Sequence, residues 1–177
     1  MSTIDEARYP IGKYVPVDFS EEQKVQWLKD IECLPQDIEI AIQQFDEYQL
    51  DTPYRDGGWT VKQLVHHVAD SHMNAYIRFK LGISESNPKV KPYLEKEWAN
   101  MKDVFDVPVN VSVTLLHSLH KRWLSFLQGI SEEDFQRTVY HSEQKREMNL
   151  WFMLGLYAWH CKHHVAHITT LKQQKGW

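Results

Sequence analysis

The chain has 177 residues, 42% hydrophobic and 25% charged, which predicts one soluble globular domain over residues 1–177. A net charge of −4 without a basic stripe argues against a nucleic-acid partner, and the widely separated Cys33 and Cys161 exclude a disulfide scaffold. No apolar run approaches the roughly 20 residues of a membrane helix, and Met1 begins no signal peptide, so we expect a cytoplasmic protein with no membrane partner.

The first 19 residues predict an extended arm. Pro10, Gly12 and Pro16 interrupt this segment, and no helical period runs through it. The arm also carries Tyr9, Tyr14 and Phe19, so we expect it to pack on the body of the protein.

The first long helix is predicted to begin after Ser20, because Ser20 and Gln23 have the spacing of a capping box. It should run to about Cys33. We expect Pro35 to break or restart it, because proline has no N–H and clashes with the preceding turn. Apolar residues then continue a helical stripe to about Tyr48.

Thr60 and Gln63 form a second capping-box pattern, which predicts a long helix from there to Leu81, ended by Gly82. A long connection follows. A short helix is predicted within it, over 94–101.

Two further long helices are predicted towards the carboxyl end. Asn110 is expected to cap the third, whose apolar stripe reaches Ile130. Ser131 should start a short helical turn, the polar segment 138–148 is predicted to be a loop, and the fourth helix should span 149–173. No segment shows the alternation typical of a strand. The prediction is therefore an all-α four-helix bundle with short extra helices.

The last helix carries two overlapping pairs of histidines. His160 and His164, and equally His163 and His167, are four residues apart and share a helix face. Two imidazoles at this spacing form half of a divalent-metal site, because such sites use three or four protein ligands. The spacing does not decide between the pairs.

A third ligand is predicted on the second long helix, where His67 lies beside the apolar face. A set of three histidines leaves one position open for water or substrate, which is typical of a catalytic site. Ser71, Asn74 and Arg78 follow at helical spacing, and Asp70 lies one turn away. Asp70 is a candidate base or imidazole acceptor, and Arg78 a candidate ligand for an anionic substrate.

Simpler interpretations exist for each feature. The stripe of Ser71, Asn74 and Arg78 is equally compatible with a solvated helix face. The remaining histidines are interpreted as surface or satisfied core residues; these are His66, His72, His117, His120 and His141.

At these residues the chain resembles the DinB/YfiT-like family of metal enzymes. The resembling segments are 8–14, 57–80 and 157–168, which together bracket nearly the whole chain. The resemblance implies a four-helix bundle of up-down-down-up topology and a homodimer. It also implies a metal held by one histidine of the second long helix and two of the last, which here are His67, His160 and His164.

The resemblance implies two activities. One is metal-dependent hydrolysis, and the other is transfer of a low-molecular-weight thiol such as bacillithiol to small-molecule electrophiles. Imidazole ligands suit zinc and nickel, so one of these ions per subunit is expected. Asp70 would then be catalytic, while Asn74 and Arg78 would hold an anionic part of the substrate.

The sequence leaves two rival interpretations of these histidines open. The ion could be structural, in a non-catalytic helical binding or stress-response module, and a fourth protein ligand would favour that view. Alternatively, the histidines are incidental and no metal binds.

Overall fold

The structure is a computed structural model that describes residues 7–177. Four long helices dominate it: α1 (Glu21–Ile42), α2 (Val61–Ser84), α3 (Val109–Gln128) and α4 (Leu150–Lys175). Short helices lie between them at Glu47–Leu50, Glu95–Trp98, Lys102–Asp106 and Glu132–Phe135. Within residues 7–177, no helix is both long and apolar enough to cross a membrane.

The four helices form a bundle in which α1 and α2 each pack against both α3 and α4. Contacts along the helices show their relative directions. Two helices are parallel where the residue numbers of contacting pairs rise together, and antiparallel where one number rises as the other falls. The pairs are Lys24–Ile130 and Glu39–His117 for α1 with α3, His66–Ser112 and Tyr76–Phe126 for α2 with α3, and Trp27–Trp151 and Ala41–Lys172 for α1 with α4. Hence α1 and α4 point one way and α2 and α3 the other, which confirms the up-down-down-up bundle.

The arm packs on α4 through the residues that the structure describes. Tyr14 donates a hydrogen bond to the carbonyl of Phe152, and the indoles of Trp151 and Trp159 donate to arm carbonyls. Phe19 packs against Trp151, with ring centroids 4.7 Å apart. The predicted packing is therefore confirmed from residue 9 onwards, while residues 1–6 lie outside the described part.

The expected break at Pro35 is wrong, because α1 runs through this proline without interruption. Side chains on its inner face, including Ile31, Leu34 and Ile38, are fully buried. Packing of this face against α3 and α4 supports the helix and offsets the cost of a proline in its interior.

Three helix boundaries differ from the predictions. Helix α2 continues past Gly82 to Ser84, because Gly82 lies in close contact with Leu150 rather than at a turn. Helix α3 begins at Val109 after the extended Pro108, which leaves Asn110 inside the first turn and not at the cap. The predicted short helix over 94–101 is shortened to Glu95–Trp98.

The expectation of no strand is also wrong. The segments β1 (Lys89–Val90), β2 (Thr138–His141) and β3 (Arg146–Asn149) form a small sheet in which β1 and β2 are parallel and β2 and β3 antiparallel. The strands have two to four residues, too few for an alternating pattern to stand out. In addition, one inward-facing residue of β2 is His141, so its buried face is not uniformly apolar.

The contact at Gly82 generates a test of the α2–α4 packing. A Cβ atom at Gly82 would lie 2.8 Å from Leu150 Cδ2 and 3.2 Å from Val139 Cγ1. Gly82→Leu should therefore lower the free energy of unfolding by about 1–3 kcal/mol, which urea denaturation measures. Gly129→Leu, at the exposed end of α3, is the matched control and should stay within about 0.5 kcal/mol of wild type. Equal effects of both changes would contradict this packing.

Candidate metal centre

Three histidines from two antiparallel helices meet in the bundle. His67 on α2 lies opposite His160 and His164 on α4, and one ring nitrogen from each lies within 4.8 Å of the others. His67 and His164 are buried, whereas His160 is partly accessible from a neighbouring cavity. Among residues 7–177, no fourth Cys, His, Asp or Glu joins this cluster.

The geometry of the cluster fits one divalent ion. The Nε2 atoms of His160 and His164 are 3.0 Å apart. Two imidazoles that bind one tetrahedral ion at about 2.0–2.1 Å have their nitrogens about 3.3 Å apart, so only a small adjustment would admit the ion. His67 completes a set of three imidazoles, which suits zinc or nickel.

The rival pair lies on a different face of α4. His163 and His167 also approach each other, with 3.1 Å between their Nε2 atoms. However, their rings face Tyr9 and Tyr54, and within the described chain no third ligand side chain joins them. The bundle thus brings His67 to the first pair and not to the second.

Burial keeps the candidate ligands neutral. It lowers the pKa of His67 to about 4, and it lowers the pKa values of His160 and His164 well below the usual range. A neutral imidazole has one nitrogen with a free lone pair, which is the form that binds a metal ion. Nδ1 of His164 is buried without a hydrogen-bond partner, so this ring is not held by any other group at that nitrogen.

Two further side chains hold the ligands from behind. The hydroxyl of Tyr93 lies 3.3 Å from His67 Nδ1, and His72 Nε2 lies 3.0 Å from His160 Nδ1. Outer contacts of this kind orient metal-binding imidazoles and fix which nitrogen is protonated.

A cavity of about 170 Å³ adjoins the cluster at His160. Helices α2 and α4 form one wall, and the small sheet forms the other. Polar side chains that line it, besides His160, are Ser71, Arg78, Tyr93, Glu95, His141, Glu143, Gln144 and Tyr157. The sheet contributes the apolar side chains of Val90, Val139 and Met148 together with the imidazole of His141.

Arg78 lies in the cavity wall with part of its guanidinium unsatisfied. It donates to the hydroxyl of Tyr157 and to the carbonyl of Lys91, at 3.2 Å each. Its Nε is buried and has no partner. The predicted stripe on α2 is therefore divided, since Ser71 and Arg78 line this cavity and Asn74 lines an adjacent cleft.

Asn74 and Asp70 lie apart from the three histidines. The amide of Asn74 donates to the backbone carbonyl of Asp70, one turn earlier in α2. Burial, aided by Asp103, raises the pKa of Asp70 to about 6. Among residues 7–177, no hydrogen bond connects the Asp70 carboxylate to a histidine, so its catalytic role stays a prediction.

Sequence reasoning missed the residues that the small sheet and its connections bring to the cavity. Tyr93 and Glu95 lie two residues apart in the connection after α2, His141 lies in β2 more than forty residues later, and all three fall outside the helix motifs. The sequence around Tyr93, with two prolines before it and a short helix after it, indicates only a connecting segment. That pattern does not predict that the Tyr93 hydroxyl is buried beside the cavity.

This chain is similar in sequence to a known superfamily and to several bacterial proteins. The sequence profile of the DinB superfamily matches residues 31–168. A Bacillus cereus (strain ATCC 10987) protein, provisionally named a metal-dependent hydrolase, is 49% identical over 177 residues, covering 98% of this chain and 100% of the relative. A Bacillus mycoides (strain KBAB4) protein with the same provisional designation is 50% identical over 171 residues, covering 96% and 98%.

A solved structure agrees with these relatives. YfiT from Bacillus subtilis is described as a probable metal-dependent hydrolase with an unusual four-helix bundle topology. It matches this chain with a TM-score of 0.95 and 47% sequence identity, covering 97% of this chain and 99% of that one.

The cluster predicts which histidines retain metal. Tag-free wild-type protein should contain about one zinc or nickel ion per chain by elemental analysis, and His67→Ala and His164→Ala should lose it, because two imidazoles alone hold an ion weakly. His167→Ala is the matched control on the same helix and should keep its metal. Loss in His167→Ala with retention in His67→Ala would instead favour the rival pair.

Buried neutral histidines predict acid sensitivity of the metal-free protein. Burial lowers the pKa of His120 to about 4 and that of His167 to about 3. Below pH 6.5 the unfolded chain takes up these protons and the folded chain does not, so the free energy of unfolding falls as pH falls. Each such histidine contributes about 1.4 kcal/mol per pH unit between pH 6 and 4.

Urea denaturation between pH 7 and 4.5 measures this slope. His167→Gln should remove one histidine's share of it and leave the rest. A free energy of unfolding that does not change with pH in this range would contradict the neutral, buried state of these rings.

Proposed function

This chain belongs to the DinB superfamily, and we propose that it is a divalent-metal-dependent enzyme acting on small anionic molecules. The observation that carries the proposal is the position of His160, which belongs to the three-histidine cluster and also lines the cavity that contains Arg78. A nucleophile and a substrate anion would therefore meet in one cavity.

The proposed cofactor is one zinc or nickel ion per subunit, bound by His67, His160 and His164. Such an ion lowers the pKa of a coordinated water from about 15.7 to about 7 and deprotonates a coordinated thiol. Three protein ligands leave a coordination position for that nucleophile, whereas a structural ion has four. The three-membered cluster in the described chain thus supports catalysis over a purely structural ion.

Arg78 is proposed to bind the substrate anion. Its present partners, the Tyr157 hydroxyl and the Lys91 carbonyl, are neutral, and its buried Nε has no hydrogen-bond partner. A carboxylate is a natural partner for a guanidinium, because the two form paired, charge-assisted hydrogen bonds. The cavity volume of about 170 Å³ restricts the ligand to a small molecule or the end of a larger one.

Two tyrosine hydroxyls are proposed to orient the reacting group. Burial raises the pKa values of Tyr93 and Tyr157 above the usual range, so both hydroxyls keep their protons at neutral pH. Tyr157 accepts a hydrogen bond from Arg78 and retains its own O–H for donation to a ligand. Such fixed donors stabilise negative charge that develops during nucleophilic attack.

Hydrolysis is the activity that we propose first, because the cavity also supplies a carboxylate. Glu95 lines it, and desolvation together with Glu143 raises the pKa of Glu95. A carboxylate of raised pKa is well suited to accept a proton from an attacking water and return it to the leaving group. Asp70 is the alternative carboxylate, and it lies outside the set of residues that line this cavity.

Thiol transfer is the second candidate, and Arg78 is the observation that favours it. An acidic thiol such as bacillithiol carries carboxylates that would fit the unpaired guanidinium N–H. In this reaction the thiol loses its proton, its sulfur forms a bond to the electrophilic carbon, and the leaving group departs with its electron pair. Asn74 lines the adjacent cleft and would therefore contact only a larger substrate. A homodimer is also proposed, on the family resemblance.

Substitution of Arg78 tests the proposal. Arg78→Gln should raise KM for carboxylate-bearing esters or for bacillithiol about 10- to 100-fold, because a hydrogen bond to a charged group contributes about 1.5–3 kcal/mol. It should change kcat little. Neutral analogues of the same substrates, with the carboxylate esterified, should be processed alike by wild type and Arg78→Gln.

Lys80→Gln is the matched control, because it removes a positive charge from the exposed face of the same helix. It should leave KM unchanged. If Arg78→Gln keeps the wild-type KM for the anionic substrates, the proposed role of Arg78 is wrong. If the zinc-loaded wild type turns over neither esters nor thiols, yet becomes unstable without zinc, the ion is structural and the protein is a binding module.

A further inference from the structure

Two histidines in the centre of the bundle are used neither by the cavity nor as metal ligands. His72 on α2 and His120 on α3 are 0% and 2% exposed. Their rings lie nearly parallel, at 10° to each other, with centroids 5.0 Å apart. Polar rings so deeply buried are costly unless each nitrogen has a partner, and both rings have two.

The line of contacts begins at a carbonyl that Pro35 leaves unpaired. In an α-helix the carbonyl of Ile31 accepts from the N–H of residue 35, and proline has no N–H. The side chain of His120 replaces it, with Nδ1 2.6 Å from Ile31 O. A carbonyl oxygen only accepts, so His120 Nδ1 must carry the proton.

The remaining protons follow from this one. A neutral imidazole has a single N–H, so His120 Nε2 accepts, and the atom 2.9 Å away, His72 Nδ1, donates. His72 Nε2 then accepts from His160 Nδ1 at 3.0 Å. His160 is left with its N–H on Nδ1 and with a lone pair on Nε2, which in the metal-free protein accepts from His164 Nε2 at 3.0 Å and would be available to an ion in its place.

We propose that His72 and His120 are positioning residues. Through a chain of hydrogen bonds that starts at the unpaired carbonyl of Ile31, they fix the proton of His160 on Nδ1 and so hold this ring in its metal-binding tautomer. The histidine chain consists of His120, His72 and His160. It holds the ring of His160 in place before an ion arrives, so binding requires no proton transfer within that ring. This inference rests on the proposed metal centre, but the tautomers exist in the metal-free protein and are measured there.

A purely structural role for the two histidines makes a different prediction. If they only fill the core, their replacement lowers stability but leaves the affinity of a correctly folded protein for metal unchanged. A positioning role requires that metal affinity falls in the folded protein, and that the tautomers are those derived from Ile31.

The first experiment reads the tautomers directly. Long-range proton–nitrogen NMR spectra of metal-free, ¹⁵N-histidine-labelled wild type should show His72, His120 and His160 as neutral rings protonated on Nδ1. A His160 ring protonated on Nε2 would overturn the proposal, and so would a His120 ring without a proton on Nδ1. This measurement needs no variant and no activity.

The second experiment measures zinc affinity by competition with a chromogenic chelator. His72→Phe removes both hydrogen bonds but keeps a planar aromatic ring, and should weaken zinc binding about 10- to 100-fold. His66→Phe is the matched control, because His66 is also a buried histidine of α2 but its ring bonds Ser112 and the carbonyl of Val107 instead. Equal zinc affinities of the two variants would overturn the proposal.

Pro35→Ala tests the origin of the chain in a variant that should fold well, since alanine favours helix. The new N–H competes with His120 for the Ile31 carbonyl, so zinc affinity should fall about 2- to 10-fold, as expected for one hydrogen bond. The NMR signal of His120 Nδ1 should shift as well. An unchanged affinity and an unchanged His120 signal would refute the link to Pro35.

The outcomes separate this inference from the proposed function. Wild type that binds zinc with the derived tautomers, but turns over no substrate, supports the histidine chain and contradicts the enzyme. Wild type that binds no zinc overturns both the metal centre and the positioning role.

Discussion

The structure depends on one constraint, which is that imidazoles buried in a helix bundle need polar partners for their ring nitrogens. Among the buried ring nitrogens of the described histidines, only the Nδ1 atoms of His163 and His164 lack one. Eight histidines are buried among residues 7–177: His66, His67, His72, His120, His141, His163, His164 and His167. A bundle core of apolar side chains offers no such partners. The histidines therefore meet one another, backbone carbonyls and hydroxyl groups. Two of them, His67 and His164, converge with the partly accessible His160 at a point where a divalent ion would bind all three.

The long helices could be predicted because their signals are local. Capping residues Ser20 and Thr60 mark two helix starts, and each accepts the expected backbone hydrogen bond in the structure. Local signals could not distinguish the two histidine pairs of α4, because the spacing along the helix is the same in both. The facing helix decides it: α2 lies antiparallel to α4, in contact through Gly82 and Leu150, and so presents His67 to His160 and His164. The family resemblance implied the same choice, since it carries information about packing that spacing does not.

The features that sequence reasoning missed arise from contacts between distant segments. Pro35 is unfavourable in a helix by local rules, yet α1 continues through it because Ile31 and Leu34 are fully buried and His120 satisfies the freed carbonyl. The cavity wall is equally non-local. Lys89–Val90 pairs with Thr138–His141, nearly fifty residues later, and that pairing is what places Tyr93 and His141 beside α2 and α4. Strands this short carry no period of their own, so their existence depends on the partner.

These two non-local features act on opposite sides of the same residue. On the core side, His160 is held through Nδ1 by His72, which is 0% exposed. On the other side, His160 borders a cavity whose donors, the Arg78 guanidinium and the Tyr157 hydroxyl, are fixed by each other. A histidine ligand that is fixed on one side and borders a cavity on the other suits a catalytic ion better than a structural one. The cavity admits a substrate, and the hydrogen bond to His72 keeps the imidazole in position when the substrate binds. In the proposed enzyme, the buried histidines would thus orient the metal ligand, and the cavity donors Arg78 and Tyr157 would select the substrate.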